Sequence, residues 1–186
     1  MANNISDISV RSNVYASVLF DASNKIGAVD ACVLSRNEIA EVIDLVASQV
    51  GIKDALNNPD IDEAKKSSLV ETLLTGKSEP VKAIVCELAR NGEIDGLKKV
   101  LSVYEEMLAN KLNVCVVDVT TVVELDDHLR KLIIDKAKAD FNLDAVLHET
   151  IDKRILGGII MSVNGKCIDA SMLSQLNNAR AVLKAS

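Results

Sequence analysis

The sequence predicts a mainly helical α+β protein, with a bundle of six helices over residues 1–112 and a small mixed α/β domain over residues 113–186. Two observations predict this division. Apolar residues recur at helical spacing through the first part, and a β-branched run, residues 114–123, replaces that spacing after Asn113. Aromatic residues make up only 2% of the chain, so its core must consist of Leu, Ile, Val and Ala, which suits helix packing.

Glycines and an Asn-Pro pair divide the first part into separate helices. Gly27 ends the first helix, Gly51 ends the second, and Asn58-Pro59 follows a short third one. Short loops favour antiparallel neighbours packed as a bundle. The six apolar stripes lie within residues 8–26, 29–50, 52–56, 61–74, 78–90 and 94–112.

Two helix starts carry capping signals. Asp60 followed by Glu63 resembles a capping box, which predicts that a helix begins at Asp60. Ser78, Glu79 and Pro80 combine a capping hydroxyl, an acid in the first turn and a residue that needs no N–H partner. We therefore expect the Ser78 hydroxyl to cap its own helix.

The second part predicts four strands and two helices. Asn164-Gly165 lies between two β-branched runs and predicts a tight hairpin, because both turn residues need positive φ. The predicted strands cover residues 114–123, 145–151, 157–163 and 166–168, and a helix covers residues 125–137. Ser171 opens the last helix, whose apolar side carries Leu173, Leu176, Ala179 and Leu183.

Charge and composition exclude several classes of partner. The net charge is −6 and the sequence shows no basic stripe, so we expect no nucleic-acid binding and no docking on anionic lipid. No uncharged apolar run approaches the roughly 18 residues that span a bilayer, and the N-terminus does not resemble a secretory signal. Scattered cysteines next to aliphatic residues predict reduced, mostly buried thiols in an intracellular compartment.

Two glycine-containing segments resemble parts of phosphate-binding loops. Gly76-Lys77-Ser78 resembles the end of one, but Glu71 stands where the motif needs glycine, so a helix end followed by a helix start is the better interpretation. Gly157-Gly158 could form an oxyanion or phosphate loop. Glycines within a strand more often permit close backbone approach or a bulge, which we favour here.

The remaining reactive residues do not form a recognisable site. His128 and His148 have no other ligands at zinc-site spacing. A Cys–His dyad stays open, because such pairs meet only in the fold. We therefore predict no catalytic residue, no metal site and no cofactor.

The first helix carries apolar residues outside its main stripe, which indicates that it makes more than one apolar contact. Val10, Val14, Ala16 and Phe20 lie on other faces of that helix. A surface helix usually carries one apolar stripe, so these residues contact either another helix of the bundle or a partner protein.

Three stretches resemble one protein family. They are RSNVYASVLFDAS (residues 11–23), ELARNGEIDGLKKVLSVYEEML (residues 87–108) and IDKRILGGIIMSVNGKCIDASMLSQL (residues 151–176). In order and spacing they resemble the delta subunit of bacterial F-type ATP synthases, whose mitochondrial counterpart is the oligomycin-sensitivity-conferring protein. Departures from the family pattern occur at Asn13-Val14, Glu93 and Ala170.

The resemblance implies a structural role. Proteins of this kind join the catalytic head to the peripheral stalk, catalyse nothing, and couple proton flow to ATP synthesis by stopping the head from turning. The implied partners are the N-terminal helix of the alpha subunit and the ends of the b (stalk) subunits. The chain would then be a monomer within a hetero-oligomeric complex, peripheral to the cytoplasmic side of the inner (plasma) membrane.

The resemblance also implies two binding surfaces. A groove between the first and fifth helices would take the alpha-subunit helix and be lined by Val14, Tyr15, Val18, Phe20, Val81, Ile84, Val85 and Leu88. The stalk would bind near Leu156, Gly157, Gly158, Ile168, Leu173 and Leu176.

Two other functions compete with this one. A helical adaptor in signalling would need a ligand-binding pocket in the second part. A cysteine hydrolase would need an activated thiol at Cys32, Cys86, Cys115 or Cys167.

Overall fold

A computed structural model describes residues 2–58, 60–163, 165–172 and 174–176, which form α-helices followed by a small mixed sheet. The chain divides into two compact units, Met1–Met107 and Leu108–Ser186. The first unit contains helices α1 (Ala2–Ser48), α2 (Val50–Asn57), α3 (Glu63–Leu73), α4 (Glu79–Arg90) and α5 (Leu97–Met107). A 3₁₀ turn (Ile94–Gly96) precedes α5, and a π-helical turn (Leu108–Leu112) follows it.

Helix α1 is interrupted where the sequence predicts a helix end. Gly27 (φ −163°, ψ 32°) and Ala28 (φ 49°, ψ −127°) have non-helical backbone angles between two helical stretches. The break at Gly27 is confirmed, but the count of six is not. With α1 taken as one helix, five α-helices precede the first strand in the part of the chain that the structure describes.

The core of the first unit surrounds Tyr104 on α5, which is fully buried. Its hydroxyl donates a hydrogen bond to the Cys32 carbonyl oxygen (3.1 Å), and its ring centroid lies 6.1 Å from that of Phe20. Burial raises the pKa of this phenol, so the hydroxyl stays protonated and keeps donating. The hydroxyls of Ser23 and Ser35 pair nearby (2.8 Å). The Tyr104 bond joins α5 to α1 and the Ser23–Ser35 bond joins the two stretches of α1, so both pair buried polar groups.

A side chain from another helix caps α4. The Ser78 backbone N–H donates to both carboxylate oxygens of Glu38 (3.0 and 3.1 Å), and the Ser78 hydroxyl also bonds to Glu38. The prediction that this hydroxyl caps its own helix is therefore wrong, because Ser78 makes no side-chain cap bond. Pro80 lies in the first turn, as the sequence predicts.

Helix α3 begins later than the capping-box prediction places it. Its first residue is Glu63, its N-cap is Asp62, and this residue makes no side-chain cap bond. The Asp60 N–H donates to Asn58 Oδ1 (2.9 Å), so Asp60 belongs to the preceding turn. The local bond competes with helix formation, which is usual for Asn and Asp.

One buried ion pair gives a direct stability test of the first unit. Arg36 is 4% exposed, and its Nε donates to Glu105 Oε1 at 2.8 Å. We expect Glu105→Ala to lower the free energy of unfolding by about 3 kcal/mol, because it removes a carboxylate that is bonded directly to a buried guanidinium. Chemical denaturation of the full chain measures this loss. Two further variants serve as controls: Arg36→Met/Glu105→Leu should regain most of it, and Glu93→Ala, at a surface pair with Arg11, should cost under about 1 kcal/mol. Equal losses for Glu105→Ala and Glu93→Ala would contradict the expectation.

The second unit is a four-stranded sheet with one described helix longer than two turns. The elements are β1 (Val114–Thr121), α6 (Asp127–Phe141), β2 (Asp144–Ile151), β3 (Ile159–Val163) and β4 (Lys166–Asp169). The strand order is β2-β1-β3-β4, with β2 parallel to β1 and β3 antiparallel to both β1 and β4. Helix α6 connects the parallel pair, because parallel strands need a crossover connection.

Alternation along the strands decides which side chains face α6. Val117 and Val119 of β1 pack with Ile133 and Ala137 of α6 in one buried cluster. The paired residues of β3 and β4, Met161 and Ile168, share this face by register. The mainly α, α+β class is confirmed, and in the described residues no helix is both long and apolar enough to cross a membrane.

Candidate partner-binding surfaces

An apolar stripe runs along the outer side of α1. Val10, Val14 and Val18 follow one another at four-residue spacing and are 62%, 54% and 54% exposed. The opposite side of the same helix carries Ala16 and Leu19, which are fully buried. A bundle helix usually turns polar residues outward, so this valine stripe (Val10, Val14, Val18) has the character of an interaction surface.

Two polar contacts fix this part of α1 against the loop after α4. Arg11 pairs with Glu93 (2.6 Å between Nη1 and Oε1), and Asn91 Nδ2 donates to the Tyr15 hydroxyl at 3.4 Å. Tyr15 is half-buried between the stripe and this loop. The valine stripe therefore lies on an anchored helix rather than on a free one, which lowers the entropy lost on binding.

The structure separates the eight predicted groove residues into two groups. Val14 and Val18 are exposed and Tyr15 is half-buried. The other five form part of the bundle core, where a partner has no direct access to them. These buried residues are Phe20, Val81, Ile84, Val85 and Leu88. Val10 lay outside the predicted set, although its position four residues before Val14 was the signal that could have included it.

A second surface lies in the C-terminal unit. There α6 and the sheet form the walls of a groove of about 960 Å³ that is open to solvent, and we call it the α6 groove. Leu129 and Leu132 of α6 line one side, and Leu156 and Ile168 line the other. All four are large apolar side chains that are about half exposed, from 43% to 61%. Patches of this kind usually mark a binding site.

The predicted stalk-binding residues are mostly at this groove. Leu156, Gly157, Gly158 and Ile168 line it, and Leu176 is exposed without being part of the lining. Leu173 lies outside the described residues.

At the rim of the groove, Gly157 and Gly158 allow their backbone to lie close to the backbone of residues 170–172. Gly158 has φ +82°, and a Cβ there would lie 2.4 Å from the Ala170 carbonyl oxygen. The Gly157 carbonyl oxygen accepts a hydrogen bond from the Met172 N–H (2.9 Å). This confirms the packing interpretation over a phosphate loop. The predicted strand start at Gly157 is wrong, since β3 begins at Ile159, after the positive-φ residue.

An ion-pair network ties α6 to the sheet beside the groove. Arg130 donates to both carboxylate oxygens of Glu149 (2.6 and 3.2 Å) and pairs with Asp127 at 3.1 Å. The Arg130 hydrogen bonds hold the pKa of Glu149 below its ordinary value, so this carboxylate stays ionised at neutral pH. One wall of the α6 groove is thus held in place by bonds that do not use the groove's apolar surface.

The comparison with known proteins decides the family. The sequence model of the family described as "ATP synthase delta (OSCP) subunit" matches residues 12–183. The chain belongs to this family. Its members are non-catalytic structural components of the ATP synthase peripheral stalk, so the chain is not an enzyme.

Relatives and a solved structure agree with this assignment. The "ATP synthase subunit delta" of Clostridium kluyveri is 25% identical over 170 residues, which cover 91% of this chain and 92% of that protein. The protein of the same name from Gloeothece citriformis is 27% identical over 141 residues, 75% and 77% of the two chains. A chain in the mitochondrial ATP synthase hexamer of Toxoplasma gondii shares the fold, with a TM-score of 0.53 over 94% and 98% of the chains at 15% identity.

The reactive groups of this delta-family chain agree with a structural role. Burial raises the pKa of the Cys32, Cys86 and Cys115 thiols, which makes them poor nucleophiles at neutral pH. His148 Nδ1 pairs with Asp118 Oδ1 at 3.0 Å on the sheet face opposite α6. Among the described residues no three His, Cys, Asp or Glu side chains are grouped as metal ligands. Neither competing function, the hydrolase or the signalling adaptor, gains support from these groups.

Proposed function

We propose that this delta-family chain links the catalytic head of an F-type ATP synthase to the peripheral stalk through two separate apolar surfaces. The observation that supports the proposal is that each unit has an exposed apolar surface, the valine stripe on the first and the α6 groove on the second. Two attachment points on one chain multiply avidity through effective concentration, which suits a part that must hold against torque. The chain acts as a monomer within the assembled complex, on the cytoplasmic side of the inner (plasma) membrane.

The first surface receives the N-terminal helix of the alpha subunit. An amphipathic helix laid along Val10, Val14 and Val18 would bury three valines that are otherwise half exposed. Burial contributes about 25 cal/mol for each Å² of apolar surface. The buried residues of α4 hold the shape of this surface from beneath, and Tyr15 lies at its edge. Counting the two stretches of α1 separately gives the six-helix bundle that we propose for residues 1–112.

The second surface receives the ends of the b subunits. Leu156 and Ile168 offer apolar contact at the α6 groove, and Leu176 is a further exposed apolar residue of the same unit. The small α/β domain over residues 113–186 is, on this proposal, the stalk-facing module. The two modules bind different partners, so occupation of one leaves the other available.

Calorimetric titration of the full chain tests the proposal. A synthetic peptide of the alpha-subunit N-terminal helix and a peptide of the last residues of the b subunit are added separately and then together. Each should bind with a 1:1 stoichiometry at a Kd below tens of micromolar, which is about −6 kcal/mol or better, and neither should displace the other. Absence of binding by both peptides at that concentration would sink the proposal.

A further inference from the structure

One arginine lies at the edge of the valine stripe. Arg11 is the single charged residue among residues 10–18, the segment of α1 that carries the stripe. It precedes Val14 by three residues and Val18 by seven, and residues at these spacings lie on one face of a helix. Its side chain is 55% exposed. The stripe is therefore an apolar surface with one cation beside it.

The guanidinium of Arg11 is held at one nitrogen and open at the others. Its Nη1 donates to Glu93 Oε1 at 2.6 Å, which is its one side-chain bond within the described part of the chain. A guanidinium has five N–H donors in a planar fork, so the donors on Nε and Nη2 bond to water in the free chain. Because Glu93 lies in the loop after α4, the ion pair also fixes the position of the fork relative to the bundle.

A helix that docks along the valine stripe removes water from these donors. The stripe extends about 12 Å from Val10 to Val18, and Arg11 lies within this length, one residue from Val10. Charged donors that lose water without gaining an acceptor cost free energy. The docking helix must therefore supply an acceptor beside its apolar face. A carboxylate matches the arginine fork in both charge and geometry.

The other charges on this face give no comparable preference for an acid. Asp21 follows Val18 by three residues and Lys25 follows it by seven, and both are exposed. Their opposite charges lie four residues apart on one helix and offset each other. Glu93 balances part of the Arg11 charge, so the gain from a second carboxylate is moderate. The preference for an acid is thus local to Arg11.

We propose that Arg11 is the specificity-determining residue of the valine stripe and pairs with a carboxylate beside the apolar face of the alpha-subunit N-terminal helix. This pairing rests on the proposed function, since it takes that helix as the ligand. The valines supply apolar burial that many amphipathic helices can use. Arg11 selects among them, because a helix without an Asp or Glu in register leaves the arginine fork unpaired.

Calorimetric titration of the full chain with two peptides tests the pairing. One peptide is the alpha-subunit N-terminal helix, and the other is the same peptide with every Asp and Glu replaced by Asn or Gln. The unaltered chain should bind the acidic peptide about tenfold more tightly, which corresponds to about 1.4 kcal/mol. Arg11→Gln should lose this preference and leave the affinity for the amide peptide within about twofold. Treating the four affinities as a double-mutant cycle cancels any change in the helicity of the peptide itself.

Lys25→Gln is the matched control, because it removes the same charge from the same helix beyond the end of the stripe. It should leave the preference for the acidic peptide unchanged. Three results would overturn the pairing alone: equal affinity of the unaltered chain for both peptides, an equal loss for both peptides in Arg11→Gln, or the same loss of preference in Lys25→Gln. Absence of binding by either peptide would overturn the proposed function as well. A dimer of the free chain that dissociates in Arg11→Gln, seen by sedimentation, would make a second copy the occupant.

Discussion

Replacing Val14 by Asp is expected to weaken binding of the alpha-subunit helix by about 100-fold while the bundle stays folded. Val14 is the middle residue of the valine stripe and is 54% exposed, so the aspartate is solvated in the free chain. In the complex the same carboxylate would be buried among apolar groups without a partner. A loss of about 2.7 kcal/mol at such a central position corresponds to the 100-fold change.

Calorimetry with the alpha-subunit peptide measures the affinity, and circular dichroism melting measures the fold. Asn24→Asp is the matched control, because Asn24 is an exposed residue of the same helix outside the valine stripe. It adds the same charge and should change the affinity less than about threefold. The proposed surface is wrong if both variants bind as the unaltered chain does, or if both lose binding equally.

Replacing Gly158 by Ala is expected to destabilise the C-terminal unit by about 3 kcal/mol or more. A side chain at φ +82° costs about 1–2 kcal/mol by itself. The added Cβ would also lie 2.4 Å from the Ala170 carbonyl oxygen, so the backbone near Ser171 must move. That movement disturbs the rim of the α6 groove, and the stalk peptide should bind more weakly as well.

Gly165→Ala separates the cost of the positive φ from the cost of the contact with Ala170. Gly165 has a similar φ of +77°, but no atom lies within 4 Å of the position its Cβ would take. It should therefore show only the backbone cost of about 1–2 kcal/mol. Thermal unfolding of the two full-length variants, followed by a probe in the C-terminal unit, measures the difference. Equal shifts in Tm would mean that the contact with Ala170 has no energetic consequence.

Local chemistry made most of the secondary structure predictable. The change of period after Asn113 gave the position of β1, and Asn164-Gly165 predicted the hairpin between β3 and β4, which is observed. Both signals depend on residues close in sequence. The cap of α4 was not predictable in this way, because Glu38 lies 40 residues before Ser78 and only the folded bundle brings them together.

The binding surfaces were harder to predict than the fold for a related reason. Helical spacing shows that Val81 and Leu88 lie on an apolar face, but it does not show whether another helix already covers that face. The structure buries both and leaves Val10 exposed, although the predicted set included the first two and omitted the third. At Gly158 the sequence indicated a close backbone approach, while the approaching group, Ala170, depends on the turn after β4.

Reconstitution of coupled ATP synthesis tests the central claim most directly. Membranes that hold an F-type ATP synthase lacking this chain receive the purified full chain, its Val14→Asp variant or buffer, and ATP synthesis driven by a proton gradient is measured beside ATP hydrolysis by the head. A structural link predicts that hydrolysis persists in all three samples, whereas synthesis returns only with the unaltered chain. Full coupled synthesis in the buffer sample would contradict the role of this chain as the connection between head and stalk.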